Sequence, residues 1–342
     1  MGGIFSKFTR PELPRRGHIT ARDLDLLQAT LRYRFLSAAQ LVRLVGGNED
    51  VTHRRLRRLW EAGFINRFAF PGFRTHSEFF YYVDSAATLD ILAEWRGVEL
   101  SPYTVQEVRG NREKDYAGSA ARGQHMQLGF LQHSLIISRF HFMLEMACTR
   151  LGGGCNLGHW QQGAQLAGRK VDVPKVKSSR EGSEYFWEET AESERLPVEP
   201  DALFSLDFAD RREPAHFLYE ADRGTMTMSA MLRKLRAYYH LIKKQQKHKE
   251  AFGVHPIRAV LVETTDERRA RALMSLVGHP LVGGTAKRTG LFWFCISELF
   301  MAVPSGAAVA SHLVRPEVVF DSVWALPDRS LRSLFDTENS SR

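Results

Sequence analysis

Two sets of side chains in this sequence have types and spacings suited to chemistry. One is a run of arginines, Arg54, Arg55, Arg57 and Arg58, within Asp50 to Ala62. At ~100° per residue, Leu56, Leu59 and Trp60 fall on one side of a helix. Arg54 and Arg58 lie almost opposite, and Arg55 and Arg57 flank them. A guanidinium is a planar fork of donors that grips phosphate or the O6/N7 edge of guanine. Solvated helix faces usually mix charge signs, and here only Glu61 does so. The other set is acidic. Asp201 precedes one strand-like run, Ala202 to Phe208, while Glu220 and Asp222 close the next, from Ala215. The turn near 209–213 lies about midway, so antiparallel pairing brings all three acids to one end of a sheet. Glu220 and Asp222, two apart, share a face. Clustered carboxylates repel unless a divalent cation neutralises them, and such a cation can activate water for phosphodiester cleavage. The expected ion is Mg2+ or Mn2+, held by Asp201 and Glu220.

The arginine helix needs supports, and the sequence supplies them. Thr20 with Asp23 is a capping box, and Leu24, Leu27 and Leu31 share a helical face. Ser37 with Gln40 repeats the device, and Gly46-Gly47 stops that second helix. The third helix, capped at Asp50, ends at Gly63. Three short helices with the last one basic are a helix-turn-helix arrangement, with double-stranded DNA as the expected partner. Two strand-like runs follow, 64–70 and 78–83, around a Pro71-Gly72 turn, and their aromatic residues read as core. A hairpin directly after the basic helix makes a winged helix over residues 18–97. Its Arg67, Arg74 and His76 suit phosphates.

The acidic set needs a sheet. Residues 98–123 are polar and read as a linker. A long helix follows over 124–150, with His125, His133 and His141 too far apart for one metal ion. The stretch 175–195, rich in Ser, Glu and Lys, reads as a mobile insertion. Strands are expected near 160–166, 202–208, 215–220, 257–262 and 291–296, and helices at 228–247 and 266–277. The order α-β-β-β-α-β is that of the PD-(D/E)xK, restriction-endonuclease-like core. The fold class is therefore α+β: a winged helix-turn-helix, then a nuclease-like domain over 124–300, then an extension over 301–342. An active nuclease of that kind has lysine where this chain has Asp222. Lys234 on the next helix is the candidate to supply a displaced ammonium.

Composition narrows the classes. The chain has 342 residues, 44% hydrophobic and 25% charged, enough for two self-sufficient cores without disulfide or metal staples. The first 74 residues hold 14 Lys and Arg against 6 Asp and Glu, which accounts for the whole net charge of +8. The other 268 carry 33 of each sign. One end is a cation, which suits a polyanion. Three cysteines, Cys148, Cys155 and Cys295, fit a reducing cytosol and give no zinc spacing. The start, Met1 to Ser6, fits a short myristoylation pattern, but no secretory signal is visible. The apolar stretch 291–314 is broken by Glu298 and Pro304, so no membrane span is expected.

Several blocks resemble the plasmid replication-relaxation protein family. They are Gln40-Leu41, Arg55 to Gly63, Pro200-Asp201-Ala202-Leu203, Tyr219 to Thr225, and Lys234 to Tyr239, within residues 18–280. The resemblance implies a bacterial plasmid or integrating element, and a role in its replication, relaxation or transfer. The leading reading is a cytoplasmic DNA-binding protein of such an element. Its nuclease-like domain would contact DNA, replication or transfer proteins, or a second protomer in a homodimer. A metal-dependent endonuclease or nickase working at Asp201, Glu220, Asp222 and Lys234 is the alternative. A transcriptional regulator or antitoxin with a protein-binding C-terminal domain is a further one. Asp222 in the lysine position argues for weak or absent cleavage.

Overall fold

The computed structural model describes residues 10, 18–69, 79–114, 125–181, 184–283, 290–301 and 314–336. The chain divides into two compact units, 1–142 with 309–314, and 143–308 with 315–342.

In the first unit, α1 (Ala21–Tyr33), β1 (Leu36–Ser37), α2 (Ala38–Val45) and α3 (Glu49–Glu61) precede β2 (Asn66–Phe68) and β3 (Phe80–Tyr82). Both expected capping boxes form, at Thr20/Asp23 and Ser37/Gln40. Gly46 and Gly47 take φ of +74° and +80°, the left-handed region that glycine tolerates best. Asn48, not Asp50, caps α3, its Oδ1 accepting from the Val51 amide at 3.0 Å. The helix starts one residue before Asp50, which leaves that carboxylate in the first turn. The hairpin strands are shorter than expected, and β3 pairs with both β2 and β1 in antiparallel register. The turn between them, with Arg74 and His76, lies outside the described residues. Phe35, Phe68, Phe80 and Tyr82 form an aromatic core with Leu131 and Leu135.

The expected linker contains a helix, α5 (Pro102–Lys114), after α4 (Ala86–Arg96). Ser101 caps it, accepting from the Thr104 amide at 3.1 Å, and Pro102 sits where no amide donor is needed. Charge hid its one buried face, Val108 and Asn111. The Asn111 amide group donates to the Val83 carbonyl at 3.0 Å. The long helix is α6 (His125–Arg150), and the division between units falls within it.

The second unit is built on β4 (Cys155–Gln162), β7 (Ala202–Phe208), β8 (Ala215–Ala221), β9 (Ile257–Thr264), β10 (Phe292–Ile296), β11 (Trp324–Ala325) and β12 (Leu331–Arg332). They form one mixed sheet in the order β12-β11-β10-β9-β8-β7-β4. Strands β8, β9 and β10 are parallel, and α7 (Met228–Tyr239) and α9 (Glu267–Val277) make the two crossovers. A five-residue helix, α8 (His248–Phe252), lies between them. The central strands are buried along nearly their whole length, as parallel strands covered on both faces must be. Leu203, Leu218, Val260, Val262 and Phe292 pack under Leu235, Tyr238, Leu273 and Val277 of the two helices. The C-terminal extension adds β11 and β12 to the sheet, which its short, polar-interrupted runs did not announce.

The stretch read as a mobile insertion is a long hairpin, β5 (Lys170–Glu181) and β6 (Glu184–Pro197), in antiparallel register. Its charges pair across strands and with α7 instead of repelling. Lys175 meets Glu192 at 2.7 Å and Arg195 meets Asp172 at 3.0 Å. Arg236 of α7, only 3% exposed, donates to the Pro174 carbonyl at 2.5 Å and to Glu189 and Glu194.

Candidate functional site

Helix α3 buries Leu56, Leu59 and Trp60. Its four arginines do not share one environment. Arg54, Arg57 and Arg58 are exposed. Arg57 Nε reaches Glu61 at 2.8 Å, and Arg58 reaches the His18 carbonyl at 3.2 Å. Arg55 is half-buried and turned inward. Its Nη1 lies 2.8 Å from Thr20 Oγ1 and 3.1 Å from both Asp23 oxygens, so it ties α3 to the cap of α1. A cleft of about 720 Å3 runs beside the helix, with Arg43, His53, Arg57 and Arg67 among its lining residues.

Arg67 departs further from expectation. It is 9% exposed, with its guanidinium carbon 3.8 Å from the Trp60 ring centre and 4.2 Å from that of Phe79. Burial lowers its pKa. Packed against both rings, Arg67 braces the hairpin against α3 while also lining the cleft. The sequence offered a signal, since Trp60 and Phe79 are the aromatic residues beside the two elements. Arg74 lies outside the described residues.

At the other candidate site the register runs Ala202↔Tyr219, so Asp201 stands across from Glu220. The Asp201 carboxylate accepts the Ala221 amide at 2.8 Å, and the Asp201 amide donates to the Tyr219 carbonyl at 3.0 Å. Glu220 is buried, and both its oxygens have donors on α7: Lys234 Nζ on Oε2 and the Tyr238 hydroxyl on Oε1. Lys234 and Tyr238 are four apart, one turn of the same helix face. Asp222 turns to other partners. Arg269 of α9 holds it with Nε and Nη2, at 2.9 and 3.2 Å, and Thr264 Oγ1 donates at 2.8 Å. The Gly224 amide adds a fourth bond at 3.1 Å. Tyr238 was legible as the i+4 neighbour of Lys234. Arg269 and Thr264 come from elements far along the chain, and no local pattern marks them.

Burial pushes the Glu220 carboxyl up to about 7, against the pull of Lys234 and with a further push from Asp201. Burial alone would lower the Lys234 ammonium, but Glu220 and Asp201 outweigh it and hold it above lysine's usual range. A divalent cation needs several anionic oxygens turned to a common point. Here the Glu220 and Asp222 oxygens face an ammonium, a phenol and a guanidinium. Among the described residues, no group of three or more His, Cys, Asp or Glu side chains could hold a metal ion. In this arrangement Lys234 supplies the countercharge beside Asp201 and Glu220, the pair expected to bind Mg2+ or Mn2+.

A cationic helical unit and a mixed-sheet unit with neutralised buried carboxylates define a two-part α+β protein. The chain belongs to the replication-relaxation family, whose model matches residues 27–256. The match takes in α3, Asp201, Glu220, Asp222 and Lys234. Membership supports a role in plasmid replication or relaxation. No curated protein and no solved structure matches the chain. No helix among the described residues is long and apolar enough to cross a membrane.

Proposed function

We propose that this chain is a cytoplasmic, double-stranded-DNA-binding protein of a bacterial plasmid or integrating element, acting in replication, relaxation or transfer. Residues 18–97 work as a winged helix-turn-helix, with α3 in the major groove and the hairpin beside the backbone. The observation that carries this reading is the exposed row Arg54, Arg57 and Arg58 on a helix whose other face is packed. The second unit is a PD-(D/E)xK-like domain that retains the acidic positions without the cation site. It serves contacts with DNA, with replication or transfer proteins, or with a second protomer.

DNA affinity of the full chain, followed by fluorescence anisotropy across a salt series, tests the reading. About five phosphate contacts give a slope of log K against log[salt] near ~ −4.5. A flat response would refute it. Lys234 beside Glu220 favours a second reading, a metal-dependent nickase with a displaced lysine. Supercoiled plasmid incubated with the protein and Mg2+ or Mn2+ separates the two. The expected result is no nicking. Nicking that Glu220→Ala abolishes would install the enzyme reading instead.

A further inference from the structure

Cys148 lies in the last turns of α6, and Cys155 opens β4. Their Sγ atoms are 3.8 Å apart and both thiols are free and buried. The six residues between them end in Gly152-Gly153-Gly154, with φ of +56° at Gly152 and +96° at Gly153. This loop is exposed. Strand β4 is the outer strand of the sheet on that side, and the two thiols flank the exposed loop while themselves 6% and 0% exposed at Cys148 and Cys155. We propose that Cys148 and Cys155 form a reversible disulfide site that responds to hydrogen peroxide.

Three features support it. A disulfide needs sulfurs roughly 2.05 Å apart, so the pair must close by less than 2 Å. A turn of three glycines is the segment best able to absorb that shift. The Cys148 thiol donates to the Cys155 sulfur, which lowers the Cys155 pKa and, with burial, raises that of Cys148. Arg211 also lowers Cys155, while burial and Asp207 raise it. Because Cys148 is the donor of the pair, Cys155 is assigned as the sulfur that reacts and Cys148 as the thiol that resolves. The Cys155 thiolate attacks one peroxide oxygen, the O–O bond breaks, and the departing hydroxide takes a proton to become water. The resulting sulfenic acid is attacked at sulfur by Cys148. The S–S bond forms, the S–O bond breaks, and hydroxide leaves with the Cys148 proton as a second water. A dithiol reductant reverses the reaction. Cys295, buried on β10 with its thiol 3.5 Å from the Ile296 carbonyl, is the internal control.

The full chain is treated with peroxide under native conditions, alkylated after denaturation and examined by mass spectrometry. Expected is one alkyl adduct in place of three, a mass lower by two hydrogens before alkylation, and one peptide linking Cys148 to Cys155. Dithiothreitol should restore all three thiols. The thermal midpoint should rise by about 5 °C on oxidation and fall back on reduction. Cys295→Ser should behave as wild type. Cys148→Ser should leave Cys155 to run on to sulfinic acid with no disulfide. Three alkylatable thiols after peroxide would overturn the proposal. So would crosslinks between chains, or Cys155 sulfinic acid forming equally in wild type and Cys148→Ser.

Discussion

Arg67 and Arg54 carry the same charge in opposite surroundings. Truncating Arg67 removes a guanidinium packed between Trp60 and Phe79. Arg67→Ala should lower stability by ~1–3 kcal/mol in thermal or urea unfolding. Arg54→Ala should stay within about 0.5 kcal/mol of wild type and instead lose ~1–3 kcal/mol of discrimination between specific and nonspecific DNA. Equal stability of the two variants would undo this assignment. Glu220 gives a pH signature. Folding favours its acid form, so that contribution is whole below the unfolded carboxyl's ~4.3 and drains away as pH rises through about 7. The unfolding free energy from urea titrations should fall between pH ~5 and ~8 by an amount on the order of 3 kcal/mol. Glu220→Gln should flatten that fall. Lys234 stands where a metal's charge would be needed. Lys234→Met should cost less at neutral pH than the ~3 kcal/mol of a broken buried ion pair, because Glu220, already near 7, takes up a proton when the ammonium is removed. Mn2+ should raise the melting temperature of that variant and leave wild type unmoved.

At the scale of elements, local and distant causes separate cleanly. The two capping boxes and the Gly46-Gly47 stop were legible because each depends on residues within one turn. At Gly47 a Cβ would meet the Arg22 guanidinium at 2.8 Å, the movable end of a flexible side chain, so the positive φ of +80° is what calls for glycine there. The hairpin β5–β6 is the opposite case. Its Ser, Glu and Lys content matches disorder, and what orders it as a hairpin comes from cross-strand pairs, from Val171, Val173 and Leu196 buried in the core, and from Arg236. Arg236→Ala removes the donor shared by Pro174, Glu189 and Glu194. It should free the hairpin and cost ~3 kcal/mol, seen as faster proteolytic cleavage within 175–195 while the rest of the chain stays resistant. An unchanged digestion pattern would show that the strands hold without α7. Helix α5 was missed for a related reason. Its charges are frequent and its buried face is only Val108 and Asn111, so no periodicity stands out.

Over the whole chain, the net charge resides in the first 74 residues, and the salt dependence of DNA binding measures where it acts. Replacing Arg54, Arg57 and Arg58 by alanine together should reduce the slope by about one for each phosphate that those arginines neutralise. The same triple change in a neutral mixed-sign region, Arg211, Arg212 and Arg223, should leave it unaltered. A slope indifferent to the α3 arginines but sensitive to the second set would move the DNA surface to the other unit.

The sequence alone determined the three N-terminal helices with their hairpin, the strands β7 to β10 with the helices between them, the family, the net positive charge of the first 74 residues, and the placing of Asp201 opposite Glu220. Each follows from periodicity, from a motif read in order, or from counting residues back from a turn. Tertiary structure alone decided which charges are available. Arg55 and Arg67 are spent inside the first unit. Glu220 and Asp222 are matched by Lys234 and Arg269, and Arg236 pins the hairpin. A charged side chain looks the same in sequence whether it meets water or an opposite charge. Its partner is fixed by which elements pack together, and the chain separation between Asp222 and Arg269 lies beyond any local pattern.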